Sequence, residues 1–84
     1  MDKDMVTVVF HILKQKMVVD LEVPLYITAN ELVIALNTAY NLQIDTADVK
    51  QCYLKAENPI ALLKGNKTLK EFGIRNGTRI YFTE

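Results

Sequence analysis

One cysteine, Cys52, and one histidine, His11, supply all the thiol and imidazole chemistry that 84 residues offer. An internal disulfide is excluded, and so is a His/Cys metal site, which needs several such ligands at set spacing. A Ser/His/Asp or Cys/His set cannot be assembled either, because the only candidate base sits on the first predicted strand, on the face opposite Cys52. Cys52 reads as a small core residue. Charge of one sign is lacking too: ten Lys and Arg balance ten Asp and Glu, so no overall field draws nucleic acid or anionic lipid. No uncharged apolar run approaches the ~18 residues of a membrane span. The start, Met1-Asp2-Lys3-Asp4, lacks the basic-then-apolar pattern of a signal peptide. These absences predict a cytoplasmic protein that is not an enzyme, carries no cofactor or metal, and reaches a membrane only through a partner.

What is present is a foldable pattern. Half the residues are hydrophobic, which argues against intrinsic disorder, and no repeat, low-complexity tract or linker divides the chain. Residues 1–84 therefore read as a single domain, of a size that buries about two-thirds or less of its unfolded surface. The longest periodic segment is Thr28 to Leu42. Thr28 and Glu31 have the spacing of a capping box, and Leu32, Ala35, Leu36, Ala39 and Tyr40 recur at helical spacing as an apolar stripe. Asn30, Asn37, Thr38 and Asn41 fall on the opposite face together with Ile34, about 200° from Leu32 at ~100° per residue.

The remainder reads as strands and turns. Met5 to Leu13 places Val6, Val8, Phe10 and Ile12 inward and Thr7, Val9 and His11 outward, which leaves the imidazole in solvent. A turn at Lys14-Gln15-Lys16 leads to Met17 to Val23, with Met17, Val19, Leu21 and Val23 on one side and Val18, Asp20 and Glu22 on the other; Pro24 closes this strand. Asp45-Thr46-Ala47-Asp48 suits one capped helical turn, and Val49 to Ala56 a strand with Cys52 and Leu54 inward and Gln51, Tyr53 and Lys55 outward. Asn58-Pro59 is a turn, Ile60 to Leu63 a short edge strand, and Gly65-Asn66-Lys67 another turn. Thr68 to Phe72 suits one tight helical turn ending at Gly73, and Asn76-Gly77 starts a last strand, Thr78 to Thr83, with Ile80 and Phe82 inward and Arg79, Tyr81 and Thr83 outward. Lys67 to Gly73 is too short for the second crossover helix of a ferredoxin-like fold. The expectation is an α+β fold: a mixed sheet of four to five strands with one α-helix packed across it.

That order, with Leu21-Glu22-Val23, the Thr-started helix, and above all Thr68-Leu69-Lys70-Glu71-Phe72-Gly73-Ile74 followed by Asn76-Gly77-Thr78, resembles the ubiquitin-like β-grasp superfamily over nearly the whole chain. Within it the chain resembles the small YukD/EsaB proteins of Gram-positive type VII (WXG-type) secretion systems. The shared features are a length near eighty residues, a Val-rich first strand, a helix with extra aliphatic residues, and the ending Ile74-Arg75-Asn76-Gly77-Thr78-Arg79-Ile80. The resemblance implies a non-conjugated ubiquitin-like protein-binding module, an accessory or regulatory component of that system. Its expected partners are the cytosolic parts of membrane-embedded secretion components, and its expected state is a monomer or weak dimer.

Ubiquitin-type modifiers and sulfur carriers act through a flexible Gly-Gly tail, whereas this chain ends Tyr81-Phe82-Thr83-Glu84. Conjugation or sulfur transfer would need processing of a longer precursor, and stands as the alternative; a ubiquitin-like domain of a larger membrane protein is a third. The resemblance puts two positions of ubiquitin's aliphatic recognition patch at Lys55 and Thr83, so ubiquitin receptors are not expected to bind. Gly65-Asn66-Lys67-Thr68 lacks the adjacent Gly-Lys pair and following helix of a phosphate-binding loop. Asp20 and Glu22 read as solvated charges and, with the zero net charge, count against nucleic acid. With the first and last strands side by side, as the resemblance implies, Val9, Val18, Tyr53 and Tyr81 share the face away from the helix beside Lys55 and Arg79. This is the candidate protein-interaction face. Val33 and Ile34 form a second, weaker patch on the helix.

Overall fold

The computed structural model describes residues 4–83. The expectations placed on Met1, Asp2, Lys3 and Glu84, the missing signal pattern and the final residue of the chain, lie outside the described residues. Five strands and two α-helices follow one another, with a short 3-10 turn at Leu13–Gln15 between the first two strands: β1 (Met5–Ile12), β2 (Met17–Pro24), α1 (Ala29–Tyr40), β3 (Leu54–Glu57), β4 (Ala61–Leu63), α2 (Leu69–Phe72) and β5 (Arg79–Phe82). They form one mixed sheet in the order β2-β1-β5-β3-β4. β1 runs parallel to β5 and antiparallel to β2, and β3 is antiparallel to both β5 and β4.

The period-2 pattern of β1 holds: Val6, Val8, Phe10 and Ile12 are buried. β2 ends at Pro24, whose missing N–H suits the end of a strand. On the same side of the sheet α1 contributes Ala29, Leu32, Val33 and Leu36 to the core, and Tyr40 meets Phe10 edge-on at 5.6 Å between ring centres. The capping box forms as its spacing predicts. The Thr28 N–H donates to Glu31 Oε1 at 2.8 Å and the Glu31 N–H donates to Thr28 Oγ1 at 3.1 Å.

The helix differs from expectation in two ways. It stops at Tyr40 and not Leu42, because Asn41 takes the left-handed conformation (φ 52°) that Asn tolerates at a helix end. It is also rolled by roughly 60° about its axis, at ~100° per residue. Ala35 and Ala39 are exposed, Val33 is fully buried, and Asn37 turns inward. Two causes are visible. Exposing alanine forfeits less apolar burial than exposing valine, and the Asn37 carboxamide clamps the chain that leaves the helix, donating to Ile44 O at 3.2 Å and accepting from the Ile44 N–H at 2.9 Å.

The segment 45–53 also departs from expectation. Asp45 to Asp48 make one hydrogen-bonded turn, the Asp48 N–H donating to Asp45 O at 3.1 Å, with no helix built on it; no strand starts at Val49, and β3 begins only at Leu54. Asp45 Oδ1 accepts from the Ala47 N–H at 3.1 Å and Asp48 Oδ1 from the Lys50 N–H at 2.9 Å. Each aspartate thereby makes a turn with the backbone two residues on, in competition with helix or strand. Val49 is left 81 % exposed. Cys52 and Leu54 still point inward, and Leu62 and Leu63 of β4 alternate out and in along the edge. Gly73 (φ 82°) ends α2 and Gly77 (φ 90°) turns the chain into β5; both need the left-handed region that glycine occupies without cost from a Cβ.

Two outcomes check this packing. Leu36→Ala should destabilise by ~2–5 kcal/mol in denaturant unfolding, as a buried truncation does, whereas Ala35→Ser should stay within ~0.5 kcal/mol; a loss of ~1–3 kcal/mol at Ala35, the cost of burying an unpaired hydroxyl, would place the helix in its other roll. The second concerns Glu71, whose carboxyl is held below its ordinary range by the Thr68 N–H, then by the Thr68 hydroxyl, with Lys67 adding to it. A depressed carboxyl contributes stability that is fully present above the ordinary carboxylate range and is lost as pH falls through the lowered value. Glu71→Gln keeps the cap geometry and removes the charge. Its urea midpoint should lie below that of the parent near neutral pH and converge with it in strong acid.

Candidate interaction surface

On the face away from α1 the strand register sets one side chain from each strand in a row across the sheet. Val18 of β2 lies opposite His11 of β1, His11 opposite Tyr81 of β5, Tyr81 opposite Lys55 of β3, and Lys55 opposite Leu62 of β4. The next row runs Asp20, Val9, Arg79, Glu57. Val9, Val18, Lys55, Arg79 and Tyr81 are therefore brought onto one face. Tyr53, just before β3, is half-buried where that face ends and shares with Tyr81 a hollow of about 330 Å³ between Lys14 and Lys50.

His11 is not in solvent as expected. Its imidazole stacks on the Tyr81 ring at 4.6 Å between centres with 24° between planes, and its Nε2 is buried with no hydrogen-bond partner among the described residues. An outward residue on a central strand has neighbours on both sides, and here one of them is aromatic. The Tyr81 hydroxyl donates to Glu57 Oε1 at 3.0 Å, and the same oxygen lies 3.7 Å from Arg79 Nη1. Both partners of that ion pair are more than half exposed, so it contributes little stability, yet it fixes where Tyr81 points.

Three members of this surface escaped the reading of the sequence. Glu57 lies one residue past the predicted strand end, Leu62 sits on an edge strand whose phase was not assigned, and Ile60, 90 % exposed, lies in the preceding turn. Leu62 and Ile60 line a shallow depression of about 590 Å³ with Lys55, Glu57, Tyr81 and Thr83. Alternation along Ala61-Leu62-Leu63 was the available signal for Leu62. The second patch does not survive: Val33 is 0 % exposed and belongs to the core, which leaves Ile34 alone, 46 % exposed.

Cys52 lies on the core side, its thiol donating to Asn30 Oδ1 at 3.5 Å and its pKa pushed up by burial. It thus sits across the sheet from His11. Among the described residues no group of three or more His, Cys, Asp or Glu side chains could hold a metal ion, and no helix is long and apolar enough to cross a membrane.

A five-stranded mixed sheet with parallel central strands, crossed by one helix and followed by a single-turn second helix, defines a ubiquitin-like β-grasp protein. Solved structures agree in fold. The C-terminal ubiquitin-like domain of mouse tubulin-specific chaperone e superposes with a TM-score of 0.68 at 14 % identity, covering 93 % of this chain and 84 % of that one. A ubiquitin-like domain from Arabidopsis thaliana gives 0.66 at 15 % identity, with 92 % and 73 % covered. The ubiquitin-like domain of Plasmodium falciparum Dsk2 gives 0.63 at 14 % identity, with 94 % and 99 % covered. No curated protein matches the chain. The family described as WXG100 protein secretion system (Wss), protein YukD, matches residues 5–82, and the chain belongs to that family.

The unpartnered His11 nitrogen generates a test. His11→Phe retains a ring to stack on Tyr81 and removes a buried polar atom whose burial unpaired costs about 1–3 kcal/mol. The melting temperature should hold or rise. A fall would mean that the imidazole has a partner the geometry does not reveal.

Proposed function

We propose that this protein is a non-conjugated ubiquitin-like docking module, a single domain that serves WXG100 secretion in the cytoplasm as an accessory or regulatory component. Its partners are cytosolic parts of the system's membrane-embedded components, and any membrane association goes through them. The observation that carries this reading is the row Val18, His11, Tyr81, Lys55, Leu62, a continuous apolar and aromatic band with one cation that no described element covers. Val18 is 59 % and Leu62 44 % exposed. Aromatic and aliphatic side chains already held by neighbours lose little further freedom on burial, which suits them to be anchors in an interface. The candidate face is thus Val9, Val18, Lys55, Arg79 and Tyr81 with Tyr53 at its end, extended by His11, Glu57, Ile60 and Leu62. The action is contact: no bond is made or broken.

Cytosolic segments of the membrane components encoded by the same genome, purified and titrated with the protein by calorimetry, test the proposal. The doubly substituted Val18→Asp, Leu62→Asp protein should bind at least about tenfold more weakly, as loss of interface anchors implies, with an unchanged melting temperature. Ile34→Asp, on the helix, should bind as the parent does. Equal affinity of the parent and the doubly substituted protein would remove the sheet face, and binding by none of the components would remove the partner assignment.

A further inference from the structure

The sheet has a second unused feature, at its edge. β2 is a full eight residues long and ends the sheet order, so its far side faces no strand, whereas the opposite edge, β4, has three residues. An open edge of this length presents a row of backbone N–H and C=O groups ready to pair with an added strand. Its side chains restrict what can be added. Asp20 and Glu22, two residues apart on the outer face, are exposed and form no ion pair among the described residues. On the inner face Val19 and Leu21 are only partly buried against the core and Met17 is exposed, and on the outer face Val18 is exposed.

A second copy does not fit. Two β2 strands paired antiparallel about a two-fold axis keep outer side chains opposite outer side chains. The two registers of longest overlap set Asp20 against Asp20, or Asp20 against Glu22, and like charges directly opposite are destabilising. The acids therefore keep the edge from pairing with itself while favouring a strand with cations at the same spacing.

We propose that the β2 edge is a docking site for an extended peptide segment of a partner protein in which Lys or Arg alternates with aliphatic residues. The cations lie on the outer face against Asp20 and Glu22, the aliphatic side chains extend the inner face beside Val19 and Leu21, and backbone hydrogen bonds make the segment a sixth strand. This site uses the backbone edge of β2, whereas the outer-face row uses side chains across the sheet; they meet at Val18, and either can fail while the other holds.

Titration of the isotopically labelled full chain with a peptide alternating Lys and Val over about eight residues, followed by NMR, tests the proposal. Shift changes and slowed amide exchange are expected along β2. A peptide alternating Glu and Val should not bind, and one of the same Lys and Val composition in two blocks should bind about tenfold more weakly or worse. Asp20→Lys with Glu22→Lys, both exposed positions, should reverse the preference between the Lys and Glu peptides. No binding at millimolar peptide, equal affinity for the block peptide, protection confined to Tyr81 and Lys55, or a dimer joined through β2 would each overturn the proposal.

Discussion

Two helix starts, α1 and α2, are joined back to back, and the rest of the architecture follows from that joint. The first four N–H groups of a helix have no partner within it, and a four-residue helix such as α2 cannot stand alone. In α1 the Thr28 N–H donates to Glu31 Oε1, the Ala29 N–H to Lys67 O, the Asn30 N–H to Gly65 O and the Glu31 N–H to Thr28 Oγ1. In α2 the Thr68 N–H donates to Glu71 Oε1, the Leu69 N–H to Ile27 O, the Lys70 N–H to Leu25 O and the Glu71 N–H to Thr68 Oγ1. Each capping box satisfies the first and fourth of these donors in its own helix, while the loop before it supplies the acceptors for the second and third of the other. Thr28 and Thr68 close the joint as an isolated β-bridge.

The joint reaches the candidate interaction surface through the chain that leaves it. Beyond α2, Gly73 reverses direction, Ile74 is buried, and the Asn76-Gly77 turn bonds to Thr7, Asn76 through its side-chain oxygen at 2.8 Å and Gly77 through its N–H at 2.9 Å. That attachment sets β5 in parallel register with β1, so that Tyr81 falls beside His11 and Arg79 beside Val9. Thr78 secures the other flank, its buried hydroxyl donating to Asn58 O at 2.9 Å and accepting from the Arg75 N–H at 3.0 Å. The alignment of the outer face is thus set by bonds made at the Asn76-Gly77 turn and at Thr78.

Period-2 alternation in β1, β2 and β5 was legible in the residues, because a strand with one buried face must sort its side chains that way. So were the start of α1, from Thr28 and Glu31, and the outward placement of Val9, Val18, Lys55, Arg79 and Tyr81. Other features were not, for identifiable reasons. The four bonds that cross the joint run between backbone groups some forty residues apart, and backbone groups leave no trace in residue identity. The roll of α1 turns on Asn37, whose partner is a backbone segment that no helical periodicity could include. The environment of His11 depends on which strand lies beside it, and only the register supplies that.

The outer face also has a direction. Glu57 engages both Arg79 and Tyr81, which leaves Lys55 as the cation of the central row without a carboxylate among the described residues. Asp20 and Glu22 lie at the β2 end, so the surface runs from acidic to basic across an apolar middle. Such polarity contributes orientation and encounter rate more than affinity: in the docking proposed above, a partner turned end for end would set like charges together at both ends. The same arrangement bears on chemistry. His11, stacked on Tyr81, and Cys52, buried on the core side with its thiol pKa raised by burial, lie on opposite faces of the sheet, so a single reacting atom could not meet both.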